Sequence, residues 1–288
     1  MIQLLHIFWD PKPEIFTLPI LHYPVLWYGV LFASGFILGF PIFVGILDRY
    51  FQQKPEMSRS FGTISLHAEA VAIADRLTVY MVAATVLGAR IGHLAFYETP
   101  SYYLHNPMQI FVLRGLSSHG AAIAIILTLG FFSYRFRNKM HGLSWLGVLD
   151  FISVPTALAG AFIRLGNFFN QEVLGVKSTV PWAIIFGHPA DNSLPLPRHP
   201  VQLYESFAYA LIFLILWRMT FSPKYLNQRG RIGGLFLILV FGFRIVIECW
   251  KLEQSALIPF ASQITMGQIL SIPLVLLGIW MYVRKKIN

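Results

Sequence analysis

Apolar residues in this chain gather into unbroken runs of about 20, with no polar position at every second place. A helical run of that length crosses a hydrocarbon layer of ~30 Å, whereas the strands of a closed barrel alternate apolar and polar residues. Charged residues and prolines delimit seven runs, 24–47, 77–97, 119–136, 145–166, 202–221, 232–250 and 264–283. The pattern predicts an all-α integral membrane protein with seven transmembrane helices. An amphipathic stretch, 56–76, precedes the second run and is expected to rest on the membrane surface. The first 22 residues carry Asp10, Lys12, Glu14 and three prolines, without the basic start and small-residue cleavage site of a signal peptide. They are expected to form an interfacial segment leading into a first span that is its own insertion signal. Among the connections only 167–201 is long and rich in Gly, Pro and polar residues, which predicts a small extramembrane cap between spans 4 and 5. Residues 1–288 otherwise read as a single multi-spanning membrane domain.

Composition supports the class: 56% of the residues are hydrophobic and 12% charged, about half the charged share of a soluble domain. The net charge of +9 does not point to nucleic acid, because the basic residues follow the connections. Arg49, Lys54, Arg59, Arg76, Arg135, Arg137, Lys139, Lys224, Arg229, Arg231, Arg284, Lys285 and Lys286 fall on one side, against Lys12, Arg114, Lys177, Arg198 and Lys251 on the other. The richer side is expected to be cytoplasmic, which places the N-terminus outside, the C-terminus in the cytoplasm and the cap on the outer face. The single cysteine, Cys249, excludes an internal disulfide and reads as a packing residue on an apolar span.

Three arginines resist this sorting. Arg90, Arg164 and Arg244 lie within or at the ends of spans 2, 4 and 6, all toward the outer half, where His119 and the turn Arg198-His199-Pro200 also enter. A mid-bilayer charge costs at least ~2.5 kcal/mol, so such residues face the protein interior or water and often mark function; snorkelling and structural ion pairing are the alternatives. Helical spacing puts Arg164, Asn167 and Gln171 on one face if the helix persists, and sets Glu248 one turn after Arg244, where it would hold that guanidinium or form a plain salt bridge. Guanidinium groups bind phosphate through a planar fork of donors. Set off-centre among apolar helices, they suit a lipid phosphate better than a transporter's midplane site, although a lipid-phosphate transporter or flippase is the competing reading.

The stretch RLGNFFNQEVLG, Arg164 to Gly175, resembles the signature of bacterial prolipoprotein diacylglyceryl transferases. LWYG (Leu26–Gly29), GARIGH (Gly88–His93), SHG (Ser118–Gly120), RHPVQLYE (Arg198–Glu205), GGLFLI (Gly233–Ile238), FRIVIE (Phe243–Glu248) and MGQILSIP (Met266–Pro273) extend the resemblance over nearly the whole chain. It implies a multi-pass protein of the bacterial cytoplasmic (inner) membrane. The implied activity moves the diacylglyceryl group of phosphatidylglycerol to the thiol of the lipobox cysteine of a prolipoprotein, as the first step of lipoprotein maturation. A thioether forms and glycerol 1-phosphate leaves. No metal or organic cofactor is expected, and the partners are phosphatidylglycerol, the prolipoprotein signal peptide and membrane lipids, with no nucleic acid.

Carried over position by position, the resemblance makes Arg164 and Asn167 headgroup contacts and Arg244 the essential arginine of span 6. His119 matches the family histidine, as base, headgroup hydrogen-bond partner or structural residue. Tyr28 would meet the headgroup or anchor at the interface, Glu172 would orient the loop or an arginine, and Gly175 would serve a tight turn. Arg90, Glu248 and His199 complete the expected substrate-binding set. The sequence departs from the family pattern at His119-Gly120-Ala121-Ala122-Ile123-Ala124, where glycines are replaced, and at Phe241, where a tyrosine is frequent.

Overall fold

The structure, a computed structural model, describes residues 6–19, 22–53, 55–96, 108, 117–136, 143–252 and 265–284, apart from the side chains of 23, 55–65, 96, 118, 119 and 266. Each apolar run is a helix: α1 (Trp27–Gln52), α2 (Pro55–Phe96), α3 (Ser118–Arg135), α4 (Trp145–Phe169), α5 (Val201–Met219), α7 (Arg231–Ile247) and α8 (Met266–Val283), with a short α6 (Pro223–Leu226). Among the described residues five stretches, Trp27–Gln52, Leu66–Ala95, Trp145–Phe169, Val201–Met219 and Arg231–Trp250, are long and apolar enough to cross a membrane, whereas Gly120–Arg135 and Gly267–Val283 are shorter. The amphipathic stretch 56–76 is not a separate element. Pro55 sits at the first turn of α2, where its missing N–H costs nothing, and no proline follows before Phe96, so the helix runs on unbroken.

The long elements are all helices, as expected, and short strands are added beside them. The N-terminal segment and the 167–201 connection contain strands: β1 (Ile7–Trp9), β2 (Glu14–Leu18), β3 (Tyr23–Leu26), β4 (Ile184–Phe186) and β5 (Pro197–Arg198). β1 pairs parallel to β4, and β5 antiparallel to β4, while β2 and β3 form a separate hairpin. In β4 the alternation of a strand turns Ile184 and Phe186 inward, onto Phe168 and Leu174, with Trp9 and Leu203 packed against them. Trp9 stacks on Phe168 at 4.5 Å and donates its indole N–H to the Phe168 carbonyl at 3.1 Å. The end of α4 is thereby fastened to a small sheet that the N-terminus completes.

The chain divides into two compact units, Met1–Phe43 with Asp150–Asn288, and Val44–Leu149. In the second unit α2 and α3 cross backbone to backbone: a Cβ on Gly92 would lie 2.5 Å from the Gly120 Cα, and one on Gly88 2.8 Å from the Gly120 carbonyl oxygen. Small residues four apart permit this approach of apolar helices. In the first unit Gly234 of α7 and Gly278 of α8 meet in the same way, each Cβ position 2.8 Å from the other's carbonyl oxygen, and Gly35 of α1 leaves room for Ala159 of α4. The buried Asp150 carboxylate accepts from the backbone N–H groups of Gly230 and Gly233, the latter at 2.7 Å, and so satisfies the free donors that open α7.

Candidate active site

Helix α4 ends inside the RLGNFFNQE motif, and the way it ends builds the site. The Glu172 N–H donates to the Asn167 carbonyl at 3.0 Å and Asn170 N–H to Gly166 at 3.0 Å, with Gln171 in the left-handed region at φ 52°. This six-to-one closure normally places glycine at the left-handed position. It turns Glu172 back over the last turn of α4, so that Asn167 Nδ2 donates to Glu172 Oε1 at 2.8 Å and Arg164 Nη1 donates to Asn167 Oδ1 at 3.1 Å. Asn170 Nδ2 also reaches Glu172 Oε1, at 3.4 Å, and Gln202 Nε2 holds the Glu172 carbonyl at 2.7 Å. The expected Arg164–Asn167–Gln171 face stops at Asn167, because Gln171 lies beyond the helix and points elsewhere.

Arg164 is held from a second direction. Its Nε pairs with Glu205 Oε2 at 3.2 Å, and the other oxygen of the fully buried Glu205 accepts from Lys251 Nζ at 2.8 Å. The Tyr209 hydroxyl faces the same guanidinium. Lys251 is brought in by backbone pairing: Val176 N–H donates to Trp250 O at 2.8 Å, and Leu252 N–H to Leu174 O at 2.9 Å. The segment after α7 thus lies antiparallel to the loop after Glu172. Lys251, which the charge count assigns to the outer surface, spends its side chain on an internal carboxylate.

The pairing of Arg244 with Glu248 does not form. α7 ends at Ile247 and Glu248 opens a tighter 3-10 turn, Glu248–Trp250, so its carboxylate meets Lys251 instead, at 3.6 Å. In a 3-10 turn residues three apart eclipse one another. The carboxylate also lies against Gly267 in the first turn of α8, where a Cβ would stand 2.5 Å from the Glu248 Cδ. Arg244 Nε is buried with no hydrogen-bond partner among the described residues. Cys249, in the same turn, is exposed rather than packed.

The remaining expected residues are placed as follows. The Tyr28 ring packs on Gly166, 2.7 Å from where a Cβ would be. Gly175 has no room for a side chain because the His199 carbonyl oxygen fills that position, and its own carbonyl accepts from Arg198 Nη1 at 3.2 Å. His199 Nδ1 lies 3.3 Å from the Tyr204 hydroxyl, which accepts from Trp182 Nε1 at 2.7 Å. Arg90 is buried near the end of α2, in the other compact unit. His119 falls in the first turn of α3 in that unit, its side chain outside the described residues. In the first unit the structure therefore brings together Arg164, Asn167, Glu172 and Tyr28, sets Gly175 against His199, and places Glu248 with Lys251. Sequence reasoning missed Glu205, Lys251, Gln202 and Tyr209. Glu205 carried a usable signal, as the one acid in the apolar run 202–221.

Between α5 and α7 runs an apolar groove of about 770 Å³, lined by residues including Tyr204, Phe207, Leu211, Leu239, Phe243 and Val246. Two of its lining positions, Tyr204 and Phe243, are sequence neighbours of Glu205 and Arg244.

Residues 13–284 match the family described as prolipoprotein diacylglyceryl transferase. Proteins named phosphatidylglycerol–prolipoprotein diacylglyceryl transferase are similar over almost their full length. One from Tolumonas auensis is 38% identical, with 95% of this chain and 95% of the relative covered. One from Chloroherpeton thalassium is 39% identical over 95% and 92%. A third, from Protochlamydia amoebophila, is 32% identical over 97% and 95%.

Proposed function

The chain belongs to the prolipoprotein diacylglyceryl transferase family, and we propose that it transfers the diacylglyceryl group of phosphatidylglycerol to the lipobox cysteine thiol of a prolipoprotein. The new bond joins the thiol sulfur to the glyceryl carbon, the carbon–oxygen bond to phosphate breaks, and glycerol 1-phosphate departs. The observation that carries this reading is the Arg164 guanidinium, oriented by Glu205 through Nε and by Asn167 through Nη1 within the family's signature. A guanidinium fixed before the reaction stabilises negative charge developing on a leaving phosphate without reorganising. Arg244, whose Nε has no partner among the described residues, is the second donor for the same phosphate. Glu172 and Asn167 position Arg164, Tyr28 closes over Gly166, and Gly175 with His199 shapes the loop behind them. Arg90, as a headgroup contact, and His119, as the acceptor of the thiol proton, enter this reading on the family's motifs alone.

The same reading sets seven spans in the bacterial cytoplasmic (inner) membrane, the N-terminus outside and the C-terminus inside. It treats residues 1–288 as one membrane domain with 167–201 as its outer-face cap. The apolar groove between α5 and α7 suits the hydrocarbon of a lipid substrate, and the family assignment favours transfer over a flippase.

Purified protein incubated with phosphatidylglycerol and a lipobox peptide should yield a thioether-linked diacylglyceryl peptide and free glycerol phosphate. Arg164→Ala should abolish both while the protein remains in the membrane. Nearly full activity in that variant removes Arg164 from the mechanism, and lipid movement without product would restore the flippase.

A further inference from the structure

Gln171 and Val173 flank Glu172 with φ of 52° and 56°. Left-handed backbone is unfavourable for a residue with a Cβ, most of all for a β-branched one such as Val173. Such conformations persist where the surroundings over-determine them. Gln171 is over-determined by contacts outside the site. Its Nε2 donates to Asp10 Oδ1 at 3.1 Å, its Oε1 accepts the His188 backbone N–H at 2.8 Å, and its carbonyl accepts the Ala190 N–H at 3.0 Å.

Asp10 follows directly on β1, and its carboxylate lies 2.6 Å from His188 Nδ1. The backbone keeps it there: the Gly187 N–H donates to the Trp9 carbonyl at 2.9 Å, and a Cβ on Gly187 would lie 2.5 Å from Asp10 Cγ. Gln171 is buried while Asp10 and His188 are exposed. A polar brace therefore runs from the surface, through one amide side chain, to the turn that presents Glu172.

We propose that Asp10 is a positioning residue for the transfer reaction: through Gln171 it holds the left-handed turn that sets Glu172 and Asn167 against Arg164. The inference rests on reading Arg164, Asn167 and Glu172 as the headgroup site, and it gives the N-terminal segment a positioning part in the reaction. The brace is needed because Gln171 carries a Cβ. Glycine adopts φ near +50° without strain, so a Gln171→Gly chain should hold the turn without Asp10.

Four proteins test this: wild type, Asp10→Ala, Gln171→Gly and the double variant, each assayed for kcat and KM of thioether formation with phosphatidylglycerol and a lipobox peptide. Asp10→Ala should lower kcat/KM about tenfold, Gln171→Gly should stay within about twofold of wild type, and the double variant should match Gln171→Gly. Asp10→Asn keeps an acceptor for the Gln171 amide and should retain most activity. Wild-type kcat/KM in Asp10→Ala, or a double variant as impaired as Asp10→Ala, would overturn the proposal. Amide hydrogen exchange over 170–175 gives a readout independent of activity. Asp10→Ala should speed it and the added Gln171→Gly should slow it again; no change on Asp10→Ala counts against the brace. A wild type that forms no thioether removes the functional reading and leaves the exchange result to decide on the brace alone.

Discussion

Glu205 serves two cations with one carboxylate, and neither its fully buried position nor its pairing to Arg164 and Lys251 leaves it a substitute. Removing one member of a buried ion pair leaves the other charge uncompensated, at a cost of roughly 3–5 kcal/mol. Glu205→Gln should therefore lower the thermal unfolding midpoint in detergent and free Arg164 to leave the pose that Glu205 and Asn167 give it, cutting kcat/KM about 100-fold. Adding Lys251→Met removes an ammonium left with only Glu248, at 3.6 Å, and should recover part of the midpoint but not the activity. Equal recovery of both would mean that Glu205 only neutralises Lys251. Asp10 gives a separate, pH-dependent expectation. Hydrogen bonds from His188 and then Gln171 hold its carboxyl below the ordinary value. A depressed carboxyl adds stability that is present above its unfolded value of about 3.9 and is lost as pH falls through the folded value. The gap in unfolding midpoint between wild type and Asp10→Asn should close in acid below about pH 4; a gap that persists there denies the carboxylate any part. The contribution is small because the group is solvent-exposed.

Helix ends hold the Arg164 cluster and the Glu248–Lys251 pair, and small residues matter where two elements abut. Gly267 in the first turn of α8 leaves the space that the Glu248 carboxylate occupies, and Thr265 with Gln268 caps the same turn independently. Gly267→Ala should leave helix content by circular dichroism unchanged while displacing Glu248 from Lys251. We expect kcat/KM to fall about tenfold, and an unaffected rate would show that Glu248 tolerates the move. The helices themselves were legible in the sequence, since uninterrupted apolar runs admit no other structure in hydrocarbon. The fusion of 56–76 with the second run was not, because amphipathicity reports which solvent a face meets and says nothing of where a helix breaks. The cap strands are two to five residues long, and β1 finds its partner β4 far along the chain, so local pattern could not announce them. Arg164, Asn167 and Glu172 were legible through motif and spacing. Lys251 was hidden by the habit of counting every loop lysine as a surface charge, and the Arg244–Glu248 spacing misled because α7 tightens at its last turn.

At the scale of the whole chain, orientation depends on which basic residues present charge to the membrane surface. The structure sharpens the sequence count on the cap side. Arg198 is buried on the Gly175 carbonyl and Ser193 Oγ, and Lys251 is buried on Glu205, so two of the five basic residues assigned to the outer face contribute almost no surface charge. The opposite side keeps Arg135, Arg231 and Arg284 at or beside helix ends, along with the basic residues of its connections. Lysines and arginines of the short connections set topology, and their excess lies on the side opposite the cap with or without Arg198 and Lys251. The cap should therefore face outward. Alkaline phosphatase, active only outside the cytoplasm, should be active when fused after Ala190 in the exposed part of the cap and inactive when fused after Arg284. A fluorescent protein at that second point should fold and glow. Glu205→Gln/Lys251→Met should leave both reporters unchanged, because losing one lysine on the cap side does not lessen the basic excess on the other. An inactive phosphatase at Ala190, or an active one at Arg284, would invert the chain and separate the Arg164 cluster from any substrate arriving in the outer leaflet.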